Sequence, residues 1–206
     1  MIQSLLKDNH LDFEEFIEWY PASTEYQYEL HNGSIIQMPK SKGKHSQIAG
    51  FLITELTFEI RRLNLPYFAP KECLIKGDRF SGYEPDGIIL DKKMLENEPL
   101  WENQSTLLSG NAVKLIIEVV SGNWSDDYAL KLDAYESLGI REYWIIDYLG
   151  LGERKFIGYP KQPTLTIYTL EKGEYQGQQF RANEIIRSTI FSRLNLSAEQ
   201  IFKGDL

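Results

Sequence analysis

The 206-residue chain has one cysteine, Cys73, which excludes an internal disulfide and any cysteine-built zinc cage. Histidine is nearly as scarce: His10, His31 and His45 are scattered, and none forms the HExxH pattern of zinc proteases. No apolar run approaches the ~20 residues of a membrane span. The opening stretch, "MIQSLLKDNHLDFEEFIEWY", has neither the apolar core nor the small-residue cleavage site of a signal peptide. A cytoplasmic protein is therefore the expectation. Cations are also in deficit: 22 Lys and Arg stand against 30 Asp and Glu, a net charge of −8. That balance disfavours a broad electrostatic grip on a polyanion. It still permits clustered acids that hold metal ions beside a local basic rim that holds phosphates.

Length and a 42% hydrophobic content suit one globular domain spanning 1–206. "LDFEEFIEW" places Phe13, Phe16, Ile17 and Trp19 at helical spacing, and Pro21 stops the helix. "YELHNGSIIQMP" reads as a hairpin turning at Asn32-Gly33. From His45 to about Asn64, Ile48, Leu52, Leu56 and Ile60 mark a long amphipathic helix. "PYFAPKECLIKG" reads as one strand, "EPDGIILD" as another, and residues 92–112 as a surface loop or insertion. "VKLIIEVVS" is a strand, "SDDYALKLDAYESLG" a helix ended by Gly139, and "IREYWIIDY" a strand. "TLTIYTL" and "EYQGQQF" form a hairpin around Lys172-Gly173, and "SAEQIFKG" is a closing helix capped by Ser197. The class is α/β (α+β), a mixed sheet flanked by helices.

Three residues break their surroundings. Glu118 interrupts the most apolar strand, and a lone carboxylate there is costly unless compensated. Strand parity puts Ile116, Glu118 and Val120 on one face and Leu115, Ile117 and Val119 on the other, with Glu118 near the strand's end. In the next helix, Lys131 projects inside the stripe of Tyr128, Leu132, Tyr135 and Leu138. Asp86 opens the short strand after Pro85. Two carboxylates on strand ends and a lysine on a packed helix suit metal-dependent phosphodiester hydrolysis, because Mg²⁺ needs few protein ligands. The plainer readings stand beside this one. Glu118 and Lys131 can form a structural ion pair, Asp127 and Lys131 an ordinary i,i+4 bridge, and Asp86 a turn. His45 can start or cap its helix, Glu29 can face solvent from the hairpin, and Cys73 can be packed.

"YELHNGSIIQMPKSKGKHSQIAGFLITEL", "PDGIIL" and "LIIEVVSGNWSDDYALKLDAYESLGIREYWIID" together resemble the Uma-type endonuclease domain, a branch of the restriction-endonuclease-like PD-(D/E)XK superfamily. The resemblance covers about residues 26–150, leaving a C-terminal β extension over 155–206. It implies a restriction-endonuclease-like core in which Asp86 and Glu118 ligate Mg²⁺ (or Mn²⁺), with the Val119 carbonyl as a further ligand. The superfamily lysine would fall at position 120, which is Val120. Lys131 resembles the lysine relocated in this branch, and Glu29 and His45 match recurring accessory positions. The expected function is Mg²⁺-dependent hydrolysis of DNA, with a homodimer as a reasonable assembly. Two rivals are a non-catalytic interaction module and a metal-dependent hydrolase of a small phosphorylated substrate.

Overall fold

The computed structural model describes residues 10–21, 26–38 and 41–205; the first nine residues, part of the signal-peptide reading, lie outside these. Helix α1 (Phe13–Trp19) opens with a reciprocal cap between Asp12 and Glu15. The hairpin of β1 (Gln27–His31) and β2 (Ser34–Met38) turns through Asn32 and Gly33, both at positive φ, as a two-residue loop requires. Helix α2 spans Gly43–Arg62. Then come β3 (Tyr67–Phe68), β4 (Leu74–Asp78), β5 (Ser81–Tyr83), β6 (Gly87–Asp91), α3 (Trp101–Gln104), β7 (Thr106–Leu107) and β8 (Val113–Val119). A π-helical turn over Asp126–Leu130 leads into α4 (Lys131–Ser137), followed by β9 (Glu142–Asp147) and α5 (Arg154–Ile157). Strands β10 (Thr164–Glu171) and β11 (Glu174–Phe180) and helix α6 (Ala198–Lys203) complete the order.

The strands form two mixed sheets, ordered β11-β10-β9-β8-β6-β3 and β2-β1-β5-β4-β7. In the larger sheet β8 and β9 run parallel across their connecting helix, and their other neighbours are antiparallel. The alternation read along β8 sorts its residues between two cores. Leu115, Ile117 and Val119 pack with Ile48, Leu52, Leu56 and Ile60 of α2. Ile116 and Val120 pack with Tyr128, Tyr135 and Tyr143, and with Ile75 and Tyr83 of the smaller sheet. Each fully buried aliphatic side chain contributes about 1.5–3 kcal/mol, so the four α2 residues alone fix that helix across the sheet.

Three expectations are corrected. "PYFAPKECLIKG" is two strands in different sheets, β3 and β4, with Pro70, which has no N–H to pair, between them. Residues 92–112 hold α3 and β7, and β7 pairs in parallel with β4. Strand β5 was not anticipated, and it joins the hairpin to β4, which makes a second sheet. Both β5 and β7 are too short to display a period.

Glu142 at the start of β9 is fully buried and ties the C-terminal segment to the larger sheet. Its carboxylate accepts hydrogen bonds from Trp144 Nε1, Ser188 Oγ, Thr189 N and Oγ1, and Ile190 N. Glu142→Ala should cost on the order of 3 kcal/mol in urea denaturation, because it strands several buried donors. Thr189→Ala should cost about 1 kcal/mol.

A buried acid and lysine cluster between the two sheets

Asp86 immediately precedes β6, whose register with β8 pairs Gly87 with Ile117. This brings Asp86 beside the end of β8, where its Oδ2 accepts a hydrogen bond from Val119 N at 2.8 Å. The same oxygen lies 3.2 Å from His45 Nε2. His45 does not cap α2: Lys42 occupies the N-cap, and His45 sits in the first turn with its ring turned inward. Its Nδ1 is buried without a hydrogen-bond partner.

Glu118 is the penultimate residue of β8. Its Oε1 accepts from Lys131 Nζ at 3.1 Å and from Tyr135 Oη at 3.0 Å. Lys131 reaches two more carboxylates, Glu29 Oε1 at 3.1 Å and Asp127 Oδ1 at 3.7 Å. The π turn sets this up by widening the helix entrance so that Asp127, Tyr128, Lys131 and Tyr135 are all buried. Such bulges recur at functional sites. The residues picked out by sequence thus fall into two linked groups. Asp86, His45 and the Val119 backbone form one, and Glu118, Lys131 and Glu29 form the other. The covalent step from Glu118 to Val119 joins them.

The solvent-facing reading of Glu29 is overturned: its side chain is 0% exposed. Strand β1 pairs with β5, so its hairpin is interior on that side, and Glu29 also accepts from Glu84 N and pairs with His31 Nε2 at 2.7 Å. Nothing in the sequence marks His31, because two-residue alternation on a hairpin does not show which face a second sheet covers. Asp127 makes the i,i+4 contact with Lys131 that an ordinary helix bridge predicts. Its spacing from Lys131 was the available signal, but its burial depends on the π turn. Among the described residues, no three His, Cys, Asp or Glu groups form a ready-made metal cage.

A family model described as "Putative restriction endonuclease", Uma2, matches residues 13–199. No curated protein matches the chain. Among solved structures, the chain is similar to the crystal structure of a putative nuclease belonging to DUF820 from Anabaena variabilis. The TM-score is 0.69 and the identity 21%, with 95% of this chain and 99% of that chain covered. At that identity the likeness is one of fold.

Electrostatically the cluster is short of positive charge. Burial, only partly offset by Lys131, holds the Glu118 carboxyl well above the usual carboxylate range and pushes Asp127 up to about 7. Burial would lower Lys131, but Glu118, Glu29 and Asp127 outweigh it and hold the ammonium charged. Burial likewise opposes the charge on His45, and the hydrogen bond to Asp86 overrides it and raises that histidine. For Glu29 the balance runs the other way, since Lys131 and His31 overcome burial and lower it.

A carboxyl raised on folding binds more protons folded than unfolded, so stability falls as pH rises between its two values. A histidine raised on folding loses its contribution in the same direction, above about 6.5. Metal-free protein should therefore lose stability from pH 5 to pH 8, read by chemical denaturation in EDTA. Asp127→Asn should flatten the profile.

Proposed function

We propose, since the chain belongs to the Uma2 family, that it is a metal-dependent nuclease hydrolysing DNA phosphodiester bonds at Asp86, Glu118 and Lys131. The observation that carries this reading is the 3.1 Å contact between Lys131 and Glu118 at the strand end that Asp86 also reaches. It supports the view that the ammonium missing at Val120 is supplied from α4. Val120 itself is fully buried in the apolar core.

The donor set fits a hard divalent cation such as Mg²⁺ or Mn²⁺. Two carboxylates and the Val119 carbonyl suffice for an ion that keeps several waters, and the surplus of buried acids favours added positive charge. The ion would supply polarisation of the phosphoryl oxygen and a more acidic bound water. Lys131 would hold Glu118 in place and donate toward the charge developing on phosphate. His45 and the Val119 N–H orient Asp86, and Glu29, itself held by His31, positions Lys131.

Glu118→Ala and Asp86→Ala should remove saturable Mn²⁺ binding in calorimetry and cleavage of plasmid DNA. The metal-free Glu118→Ala protein should be as stable as the parent or more so, because one of several crowded acids is gone. A loss of about 3–5 kcal/mol with no metal binding in the parent would instead assign Glu118 to a purely structural pair. Turnover of a chromogenic phosphodiester without plasmid cleavage would point to a small phosphorylated substrate.

A further inference from the structure

The acids of the cluster repel a polyanion, so a nuclease built on them needs its grip elsewhere. Residues 149–161 are placed to supply it. Strand β9 runs parallel to β8 with Glu118 opposite Ile145 and Val119 opposite Ile146. The chain leaving β9 at Asp147 therefore emerges at the end of the sheet where Glu118 sits.

Several contacts hold this segment against the cluster. The buried Asp147 carboxylate accepts from Leu151 N at 2.9 Å and Gly152 N at 2.8 Å, folding the chain back. A Cβ at Gly152 would lie 3.0 Å from the Tyr128 ring and 3.2 Å from Asp147, so the close approach favours glycine. Phe156 stacks on Tyr128 with centroids 4.8 Å apart and 16° between planes. Tyr128 belongs to the π turn that also carries Asp127. Arg181 Nη2 donates to Ile157 O at 2.9 Å from the other side.

The outer surface of the segment runs against the net charge of the chain. It carries three cations, Arg154, Lys155 and Lys161, and one acid, Glu153, in a protein where acids outnumber cations. All three cations are exposed. Among the described residues only Lys155 has a carboxylate within ion-pair distance, Glu153 at 3.6 Å; Lys161 donates to a backbone carbonyl. Tyr159 is 76% exposed, and the Arg154 guanidinium lies 4.4 Å from its ring centroid. Exposed cations with a pre-stacked aromatic match the chemistry of a single nucleic-acid strand, phosphates on the cations and a base on the ring.

We propose that residues 149–161 form the substrate rim of this cluster, seating the phosphates of a DNA strand on Arg154, Lys155 and Lys161 and stacking a base on Tyr159. This rests on the nuclease reading for its biological sense, but binding can be measured apart from cleavage. The full chain in EDTA would be titrated against a fluorescein-labelled single-stranded oligodeoxynucleotide by anisotropy over a range of KCl. The triple variant Arg154→Ala/Lys155→Ala/Lys161→Ala should bind at least about tenfold more weakly, and the magnitude of its log–log salt slope should fall by about 2. Tyr159→Ala should weaken binding about tenfold with the slope unchanged. All four side chains are exposed, so melting temperatures should be unaffected. An unchanged affinity and slope in the triple variant would overturn the rim. So would duplex binding equal to strand binding with no effect of Tyr159→Ala. Parent protein that binds the strand in this manner yet neither binds metal nor cleaves would sink the nuclease reading and leave the rim standing.

Discussion

The Lys131 ammonium is the interaction on which the two sheets depend. It lies within 3.1 Å of Glu29 from the smaller sheet and of Glu118 from the larger one, and it rises from the helix that connects β8 to β9. Moving one ammonium and three carboxylates out of water costs several kcal/mol per ion. Only mutual proximity and further hydrogen bonds from Tyr135, His31 and the Glu84 backbone offset that cost. Apolar residues of similar volume would hold the sheets together as well or better. The survival of so much buried charge at a strand end is thus poorly explained by stability, and it is the physical argument for chemistry at this place.

The pattern of shifts sharpens that argument. A cluster built for stability alone would satisfy each buried charge, as five neutral donors satisfy Glu142 with no competing acid among its hydrogen-bond partners. Around Lys131 the acids are in excess, and Glu118 and Asp127 are held toward their neutral forms by burial. On the proposed reading, added positive charge would offset that excess, as expected of a cation-binding centre.

How far the sequence foretold this differs residue by residue. Glu118, Lys131 and Asp86 were legible because each is a charge set against an apolar pattern, and burial of a charge is the feature that sequence periodicity detects best. The two faces of β8 and the closing hairpin around Lys172-Gly173, both at positive φ, were legible for the same local reasons. His31 and the second sheet were not, and Glu29 was marked only by the family resemblance while its burial was not. Their burial is set by β5 and β7, strands of three and two residues, whose pairing is a long-range event with no period of its own. The π turn was also hidden, since one inserted residue in a helix changes phase without changing composition.

On the proposed reading, a lysine supplied from α4 and not from position 120 has a consequence beyond bringing a charge to Glu118. A lysine two residues along β8 would be tied to the sheet alone. Lys131 is instead tied to the π turn, and through Tyr128 and Phe156 that turn is packed on residues 149–161. On the proposed reading, a strand seated on the rim presses on the same turn that positions the lysine over the acids. Substrate grip and placement of the charged group then share one mechanical element, the stacked aromatic pair, which a strand-borne lysine could not use.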